Sequence, residues 1–241
     1  MPIKPMVQLE KEIAAKKAVE FIKSEMIVGL GSGSTVELAL KELAKKVRDG
    51  LVIHAIPSSL KTERIANELG IPIINFSNNS GIIDVTIDGA DEVDQNNILI
   101  KGGGGALLRE KVIAYFSKIV IIMVDSKKLV TKIGKFPLPI EVIPFSYLPV
   151  MKEITRLYNV PAVLRTIDGN PFVSDNGNYI LDCKFELIDD PDHLEQSLKK
   201  VPGVAETGIF SNYADIVIFG RNERAEVMYT KRNKRENYLK K

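Results

Sequence analysis

In the first half of the chain, short runs of branched apolar residues alternate with amphipathic helical segments, which predicts a mostly parallel α/β sheet. After residue 133 the order becomes strand, helix, two strands, helix, strand, the order of a ferredoxin-like α+β unit. A later apolar strand, Ala214 to Phe219, is expected to return to the first sheet. The sequence therefore predicts a Rossmann-like domain of residues 1–132 and 209–230, an inserted ferredoxin-like α+β domain at 133–208, and a basic tail at 231–241.

The composition is that of an ordinary globular protein with one or two domains. The 241 residues are 45% hydrophobic and 27% charged, which is enough apolar material for a sizeable core. The single cysteine, Cys183, excludes an internal disulfide framework and is expected to be a small buried residue on a strand. No secretory signal is visible, and no apolar run approaches the roughly 20 residues that span a bilayer. We expect a cytoplasmic protein with no membrane partner.

The first strand and the helix after it predict an anion-binding site. The strand Met26 to Leu30 runs into the glycine-serine turn Gly31 to Thr35. Ser34 and Glu37 have the spacing of a capping box, which predicts that the next helix begins here. The free N–H groups and the positive dipole end of such a helix favour phosphate. A dinucleotide is disfavoured, because Val36 stands where the fingerprint needs a third glycine.

The other elements follow from the spacing of apolar residues. Helices are predicted at Leu9 to Ser24, Leu60 to Leu69, Ala106 to Ser117, Ser146 to Tyr158 and Asp192 to Lys200. Strands are predicted at Leu51 to Ile56, Ile71 to Asn75, Ile82 to Ile87, Ile119 to Val124, Pro139 to Ile143, Ala162 to Ile167, on both sides of the turn Asp175 to Asn178, and after Gly203. Ser58 and Ser59 precede a helix, so they either cap it or also offer hydroxyls to the ligand.

Carboxylates, a glycine run and two further charged residues follow one buried strand. Asp88 and Asp91 come just after it, at the end where open α/β sheets bind ligands. Gly102 to Gly105 fit neither a helix nor a strand at ordinary cost, which predicts a loop whose N–H groups approach a ligand. Lys101 and Glu110 bracket this loop, and a simple turn would need neither of them.

Three blocks in this region resemble signature blocks of the type A ribose-5-phosphate isomerases: Asp88-Gly-Ala-Asp91-Glu92, Lys101-Gly-Gly-Gly and Arg109-Glu110-Lys111. The resemblance extends to Gly29 to Thr35, Gly134 to Val142 and Asp175 to Asn178, and so to nearly the whole chain except its tail. It implies an aldose-ketose isomerase that interconverts D-ribose 5-phosphate and D-ribulose 5-phosphate through an enediolate, in the non-oxidative pentose phosphate pathway, with a sugar phosphate as its ligand and no cofactor.

The resemblance also implies a role for each candidate residue. Isomerisation moves a proton between neighbouring carbons, which needs a base and a group that stabilises an enediolate. Glu110 is the expected base and Lys101 the oxyanion partner, while Asp88 and Asp91 exchange protons with sugar hydroxyls in a division that stays open. The expected substrate-binding residues are Lys11, Ser32, Gly33, Ser34, Thr35, Ser58, Ser59, Gly102, Gly103, Gly104 and Lys127. For the two lysines in this set, the neighbours Lys16, Lys17 and Lys128 are alternatives.

Other interpretations of the same residues are open. A metal site would use the carboxylates Asp88, Asp91, Glu92 and Asp94, but they match no calcium-loop spacing and no histidine lies near them, so no metal is expected. A sugar-phosphate sensor or a CoA-transferase-like protein could share the fold. The sensor would not need Lys101 and Glu110 together, and the Lys-Gly-Gly-Gly block speaks against the transferase.

The C-terminal segment is the most basic part of the chain. Arg221 to Lys241 holds eight lysines or arginines and three acidic residues, so the rest of the chain is slightly acidic. A nucleic-acid partner is disfavoured, because the segment lacks an interleaved pattern of stacking aromatics. A solvated extension or a strap across a subunit interface is favoured by its apolar anchors, Val227, Met228, Tyr229, Tyr238 and Leu239. We expect a homo-oligomer, either a dimer or a tetramer.

Overall fold

The computed structural model describes residues 5–78, 81–221 and 223–230, and the predicted tail at 231–241 lies outside this part. The helices are α1 Met6–Val19, α2 Ser34–Arg48, α3 Leu60–Glu68, α4 Leu107–Tyr115, α5 Tyr147–Tyr158 and α6 Pro191–Lys199. The strands are β1 Met26–Leu30, β2 Ile53–Pro57, β3 Ile83–Asp88, β4 Glu92–Val93, β5 Leu99–Ile100, β6 Ser117–Asp125, β7 Leu138–Val142, β8 Ala162–Leu164, β9 Thr166–Ile167, β10 Asn170–Pro171, β11 Tyr179–Cys183, β12 Val204–Thr207, β13 Ile209–Phe210, β14 Ile216–Arg221 and β15 Arg224–Tyr229. No helix in the described ranges is long and apolar enough to cross a membrane.

The main sheet has six strands in the order β15-β14-β6-β3-β1-β2. All neighbours are parallel except β15, which pairs antiparallel with β14. The mostly parallel sheet predicted from the sequence is confirmed, and so is the return of the late apolar strand, since β14 lies beside β6. The carboxyl ends of β1, β3 and β6 therefore open along the same edge of the sheet.

Helices cover both faces of this sheet. Side chains alternate along a strand, so in β6 Ile121 and Met123 join the core beneath α1 and α2. Ile122 and Val124 point the other way and join a second core with Leu107 of α4. Burial on both faces explains why the central strands have nearly continuous apolar sequences.

A second, antiparallel sheet has the order β12-β7-β11-β8. Its first strand in the chain lies between the third and the fourth, which is the ferredoxin-like arrangement predicted from the order of elements. The sheet packs with α5 and α6 around its own apolar core, which includes Leu138, Ile140, Ile154, Leu181 and Leu198. We call residues 138–207 the antiparallel layer. The domain limits at 133 and 208 stay a prediction.

Three strand predictions are wrong in detail. The segment 71–75 makes only an isolated bridge, Ile73 to Ala55, because Pro72 has no N–H to extend a ladder. The strand predicted at 162–167 divides at Arg165 into β8, which pairs with β11, and β9, which pairs with β10. On the near side of the turn at 175–178, the predicted strand is reduced to one bridge at Val173.

The described part of the C-terminal segment is a strand of the main sheet. Ala225 and Val227 of β15 pack against the core beneath α1, and Met228 packs against the core on the other face. The apolar anchors seen in the sequence at 227 and 228 therefore belong to the fold rather than to an extension of it.

This placement predicts different outcomes for two truncations. A chain that ends at Thr230 keeps β15, whereas a chain that ends at Arg221 loses the strand and exposes the edge of β14. Losing the burial of one or two aliphatic side chains is worth about 2 kcal/mol. We expect the shorter chain to melt about 4–8 °C below the longer one, measured by circular dichroism. Equal melting temperatures would show that β15 adds nothing to stability.

Candidate active site

A cleft opens at the carboxyl ends of β1, β3 and β6, the edge where open α/β sheets bind ligands. Most of the candidate residues line it: Lys11, Ser32, Gly33, Ser34, Thr35, Asp91, Lys101, Gly102, Gly103, Gly104 and Glu110. Four candidates lie elsewhere. Asp88, Ser58 and Ser59 are buried behind the wall of the cleft, and Lys127 is exposed to solvent.

The centre of the cleft wall is a buried ammonium group between two carboxylates. Lys101 follows β5 and is only 3% exposed. Its Nζ lies 2.9 Å from Asp88 Oδ2 and 3.2 Å from Glu110 Oε2, and it donates a hydrogen bond to the carbonyl oxygen of Gly89. The contact with Glu110 is an ion pair, and Glu110 Oε2 makes no hydrogen bond to any of the described residues.

The surroundings raise the pKa values of both Glu110 and Lys101, but for different reasons. Burial raises the pKa of Glu110 to about 8, and the Asp88 carboxylate adds to the rise, while Lys101 works against it. For Lys101, burial favours the neutral amine, but the carboxylates of Asp88 and Glu110 outweigh it and raise the pKa of the ammonium above its ordinary value. Lys101 therefore stays charged, while Glu110 can gain or lose a proton near neutral pH.

Asp88 also holds the anion-binding turn against the cluster. Its Oδ1 accepts hydrogen bonds from the N–H groups of Ser32 (3.2 Å) and Gly89 (2.7 Å). Gly31 makes this approach possible, because a Cβ there would lie 1.9 Å from Asp88 Oδ1. Glycine is needed at this position because it lets the ends of two strands come close together, and not because the turn must be flexible.

The glycine loop faces Asp91. Asp91 Oδ2 accepts a hydrogen bond from the N–H of Gly103 at 2.7 Å. Gly102 has a φ of 102° and Gly105 a φ of 77°, backbone conformations that residues with side chains rarely adopt. The run of glycines is therefore an ordered part of the cleft wall, which the sequence alone could not distinguish from a flexible turn.

The other end of the cleft is the N-terminus of α2. The capping-box prediction is wrong: the N-cap is Gly33, with a φ of 101°, and Ser34 is already the first helical residue. Ser34 Oγ instead accepts a hydrogen bond from Lys11 Nζ at 3.0 Å. Glu37 pairs with Lys61 at 2.8 Å. The first N–H groups of α2 are thus left for a ligand, with a cation beside them.

Ser58 and Ser59 support this turn from behind. Ser32 Oγ lies 2.9 Å from the hydroxyl of each. Ser59 also accepts a hydrogen bond from the N–H of Thr62 and therefore caps α3. Helix capping is one of the two roles predicted for Ser58 and Ser59, and it is confirmed for Ser59. Both serines are buried, and they orient the Ser32 hydroxyl rather than line the cleft.

The lysine near β6 that lines the cleft is Lys128, the alternative that the sequence left open for Lys127. A buried carboxylate fixes this turn, since Glu10 Oε2 accepts hydrogen bonds from Ser126 N (2.9 Å) and Ser126 Oγ (2.8 Å). Glu10 precedes Lys11 on α1, so one turn of this helix positions both Lys11 and Lys128. Glu10 stands between Leu9 and Lys11, and nothing in that local sequence indicates that its side chain is buried.

Comparison with known proteins identifies the family. A family model described as ribose 5-phosphate isomerase A (phosphoriboisomerase A) matches residues 54–224. The chain belongs to this family. Ribose-5-phosphate isomerase A 1 of Oceanobacillus iheyensis is 50% identical over 214 residues, covering 88% of this chain and 95% of the relative. The enzyme of Thermoplasma acidophilum is 44% identical over 220 residues, covering 90% of each chain.

Solved structures of ribose 5-phosphate isomerases share the fold. A D-ribose-5-phosphate isomerase in complex with phospho-erythronic acid has a TM-score of 0.89 and 42% identity, covering 94% of this chain and all of the other. The ribose 5-phosphate isomerase A of Methanocaldococcus jannaschii has a TM-score of 0.87 and 37% identity, with coverage of 92% and 99%. The predicted family, the predicted fold class and the resemblance of the signature blocks are confirmed.

The geometry of the anion end predicts which lysine binds phosphate. Lys128 lines the cleft and Lys127, its neighbour, is exposed, so the two form a matched pair. We expect Lys128→Ala to weaken the binding of inorganic phosphate about tenfold or more, the range for a lost hydrogen bond to a charged group. Lys127→Ala should stay within twofold of wild type, measured by isothermal titration calorimetry. The reverse pattern would show that the turn at 126–128 is placed differently in solution.

Proposed function

We propose that the chain interconverts D-ribose 5-phosphate and D-ribulose 5-phosphate through an enediolate. The observation that carries the proposal is the Lys101 ammonium between Asp88 and Glu110, beside a cleft whose other end is the free N-terminus of α2. A sugar phosphate has a carbonyl at one end and a dianion at the other, so it matches both ends of this cleft.

Glu110 acts as the base that moves the proton. In the open-chain aldose, the ionised carboxylate removes the proton from C2, and the electrons of that bond form the enediolate with negative charge on the C1 oxygen. The proton of the C2 hydroxyl is then transferred to the C1 oxygen, which moves the negative charge to the C2 oxygen. Returning the abstracted proton from Glu110 to C1 forms the C2 carbonyl, which gives the ketose and regenerates the carboxylate. A pKa of about 8 suits a group that must accept and return a proton near neutral pH.

Lys101 stabilises the enediolate without a change in the charge around it. Before the reaction its Nζ faces two carboxylates, Asp88 and Glu110. When Glu110 takes the proton it becomes neutral, while the substrate oxygen becomes negative. The contact with Glu110 is then exchanged for one with the new oxyanion, which is strong because Lys101 is buried.

The two aspartates differ in what they can do. Asp88 is 2% exposed and is engaged by Lys101 and two backbone N–H groups, so we assign it to holding Lys101 in place. Asp91 lines the cleft and has one backbone partner, Gly103. We therefore assign the exchange of protons with sugar hydroxyls, including ring opening, to Asp91.

The ligand of a relative supports this orientation. One structural neighbour was solved in complex with phospho-erythronic acid. That ligand carries a phosphate at one end and a carboxylate at the other, and the carboxylate has the charge distribution expected of the enediolate. We propose that the same compound inhibits this chain competitively, with its carboxylate against Lys101 and its phosphate at α2.

A direct assay of ribulose 5-phosphate formation, with and without a chelator, tests the function. We expect turnover that a chelator leaves unchanged, because the mechanism uses only side chains of this chain. A sugar-phosphate sensor would bind the substrate without converting it. Loss of activity on chelation, restored by magnesium or manganese, would overturn the metal-free mechanism.

Replacing Glu110 by Gln tests the assignment of the base. The amide keeps the shape but cannot accept the C2 proton, so kcat should fall by about 10²–10⁴-fold while phosphate binding is retained. Glu153→Gln is the control, since Glu153 lies on α5, away from the cleft, and its one ion-pair partner within the described ranges is Arg156. Turnover of Glu110→Gln close to that of wild type would remove Glu110 from the mechanism.

The raised pKa of Glu110 predicts the pH profile. The base must be ionised, so kcat/KM should rise about tenfold per pH unit below a midpoint near 8 and level off above it. Measurements from pH 6.5 upward avoid most of the ionisation of the substrate phosphate, whose second pKa is about 6. The binding of inorganic phosphate over the same range serves as the control. A flat profile between pH 6.5 and 9 would contradict the assignment.

A further inference from the structure

The glycine loop, residues 102–105, has too few contacts within itself to fix its conformation. Gly102 to Gly104 line the cleft without side chains that could pack or bind to neighbours, and glycine loses more backbone freedom on ordering than any other residue. Within the loop there is one turn, in which Gly105 N donates to Gly102 O at 2.9 Å. A Cβ on Gly104 would meet nothing within 4 Å, so packing does not hold this position. Contacts from outside the loop must fix it.

A guanidinium group from the antiparallel layer supplies these contacts. Arg165 Nη1 donates to the carbonyl oxygens of Gly102 (2.9 Å) and Gly103 (3.1 Å). The N–H of Gly103 in turn donates to Asp91 Oδ2 at 2.7 Å. Arg165 thus holds the peptide group between Gly102 and Gly103, whose N–H orients the Asp91 carboxylate, and also the next peptide group, although it does not line the cleft itself.

Arg165 is fixed on two sides. Asp182 of β11 accepts two parallel hydrogen bonds, at 2.9 Å from Nε and 2.5 Å from Nη2, which sets the plane of the guanidinium. The centroid of the Phe172 ring lies 5.7 Å from the guanidinium carbon. The same ring packs closely against Gly105, because a Cβ on Gly105 would lie 2.3 Å from its nearest ring carbon. The side chain of Arg165 is only 14% exposed. The loop therefore rests on a rigid platform of Arg165 and Phe172.

We propose that Arg165, held by Asp182, is a positioning residue for the reaction: it orders the glycine loop and thereby aims the carboxylate of Asp91 at the sugar. The inference rests on the proposed function. It makes the antiparallel layer a working part of the site, because the group that orders the loop comes from the junction between β8 and β9.

The test compares two arginines with the same salt-bridge geometry. Arg156 binds Glu153 through Nε (2.8 Å) and Nη2 (2.7 Å), as Arg165 binds Asp182, but it lies exposed on α5. We expect Arg165→Met to lower kcat/KM about 10²-fold, the effect of a misplacement of roughly 1 Å, and Arg156→Met to stay within twofold of wild type. Inorganic phosphate, for which we expect the site at α2, should bind both variants like wild type. Arg165→Lys should restore little, because an ammonium cannot form the planar fork.

Hydrogen exchange gives a readout that does not depend on activity. Mass spectrometry of the peptide that contains Gly102 to Gly105 should show faster amide exchange in Arg165→Met than in wild type or Arg156→Met. Asp182→Asn, which keeps the shape but weakens the fork, should show a smaller change of the same kind, and it replaces Arg165→Met if that variant does not fold. The effects of the two substitutions should be less than additive, because they disrupt one unit.

The outcomes separate the two proposals. Wild-type protein without isomerase activity would refute the proposed function, while the exchange data would still decide whether Arg165 orders the loop. Active wild-type protein, together with Arg165→Met or Asp182→Asn that keeps full kcat/KM, would refute the positioning role whether or not exchange changes. A loss of kcat/KM with unchanged loop exchange would refute it too, since Arg165 would then act by another route.

Discussion

The buried ammonium of Lys101 is the constraint on which the rest of the site depends. A charged amine that is 3% exposed is tolerated only with close partners, and here they are the carboxylates of Asp88 and Glu110 and the carbonyl oxygen of Gly89. These partners come from two segments, the end of β3 and the first turn of α4. With one cation and two carboxylates the cluster prefers to hold one extra proton, and the raised pKa of Glu110 expresses this preference. The electrostatic requirement of the fold thus creates a base that titrates near neutral pH.

The sheet edge also explains why the two ends of the cleft belong to one site. Asp88 ends β3 and accepts a hydrogen bond from Ser32 in the turn after β1, so the cluster and the anion site share a carboxylate. Gly31 allows this contact, because any side chain there would overlap Asp88. The phosphate and the carbonyl of a sugar phosphate would then be held at a fixed separation, which is the part of catalysis that comes from orientation.

Much of this could be predicted from the sequence, and the rest could not for physical reasons. Apolar runs at strand spacing and the order of elements predict both sheets, and local blocks such as Lys101 with its glycines carry the family resemblance. The choice between Lys127 and Lys128 depends on a turn fixed by Glu10, a residue more than 100 positions away. The N-cap of α2 is Gly33, whose positive φ suits glycine, so Ser34 is not the N-cap that the capping-box pattern predicts. Such contacts are set by tertiary packing, and no local pattern encodes them.

The antiparallel layer contacts α4, the helix that carries Glu110, as well as the glycine loop. On α4, the residues on either side of Glu110 both point to this layer. Arg109 donates to Asn176 Oδ1 and to the carbonyl oxygen of Asp175, and Lys111 pairs with two carboxylates, those of Glu195 and Glu206. Because Lys111 is buried, its two ion pairs fix α4 against the antiparallel layer, which ion pairs exposed to solvent would do only weakly. The parallel sheet therefore supplies Asp88 and the anion site, and contacts from the antiparallel layer fix the helix and the loop that complete the cleft. Neither sheet alone would place the catalytic groups.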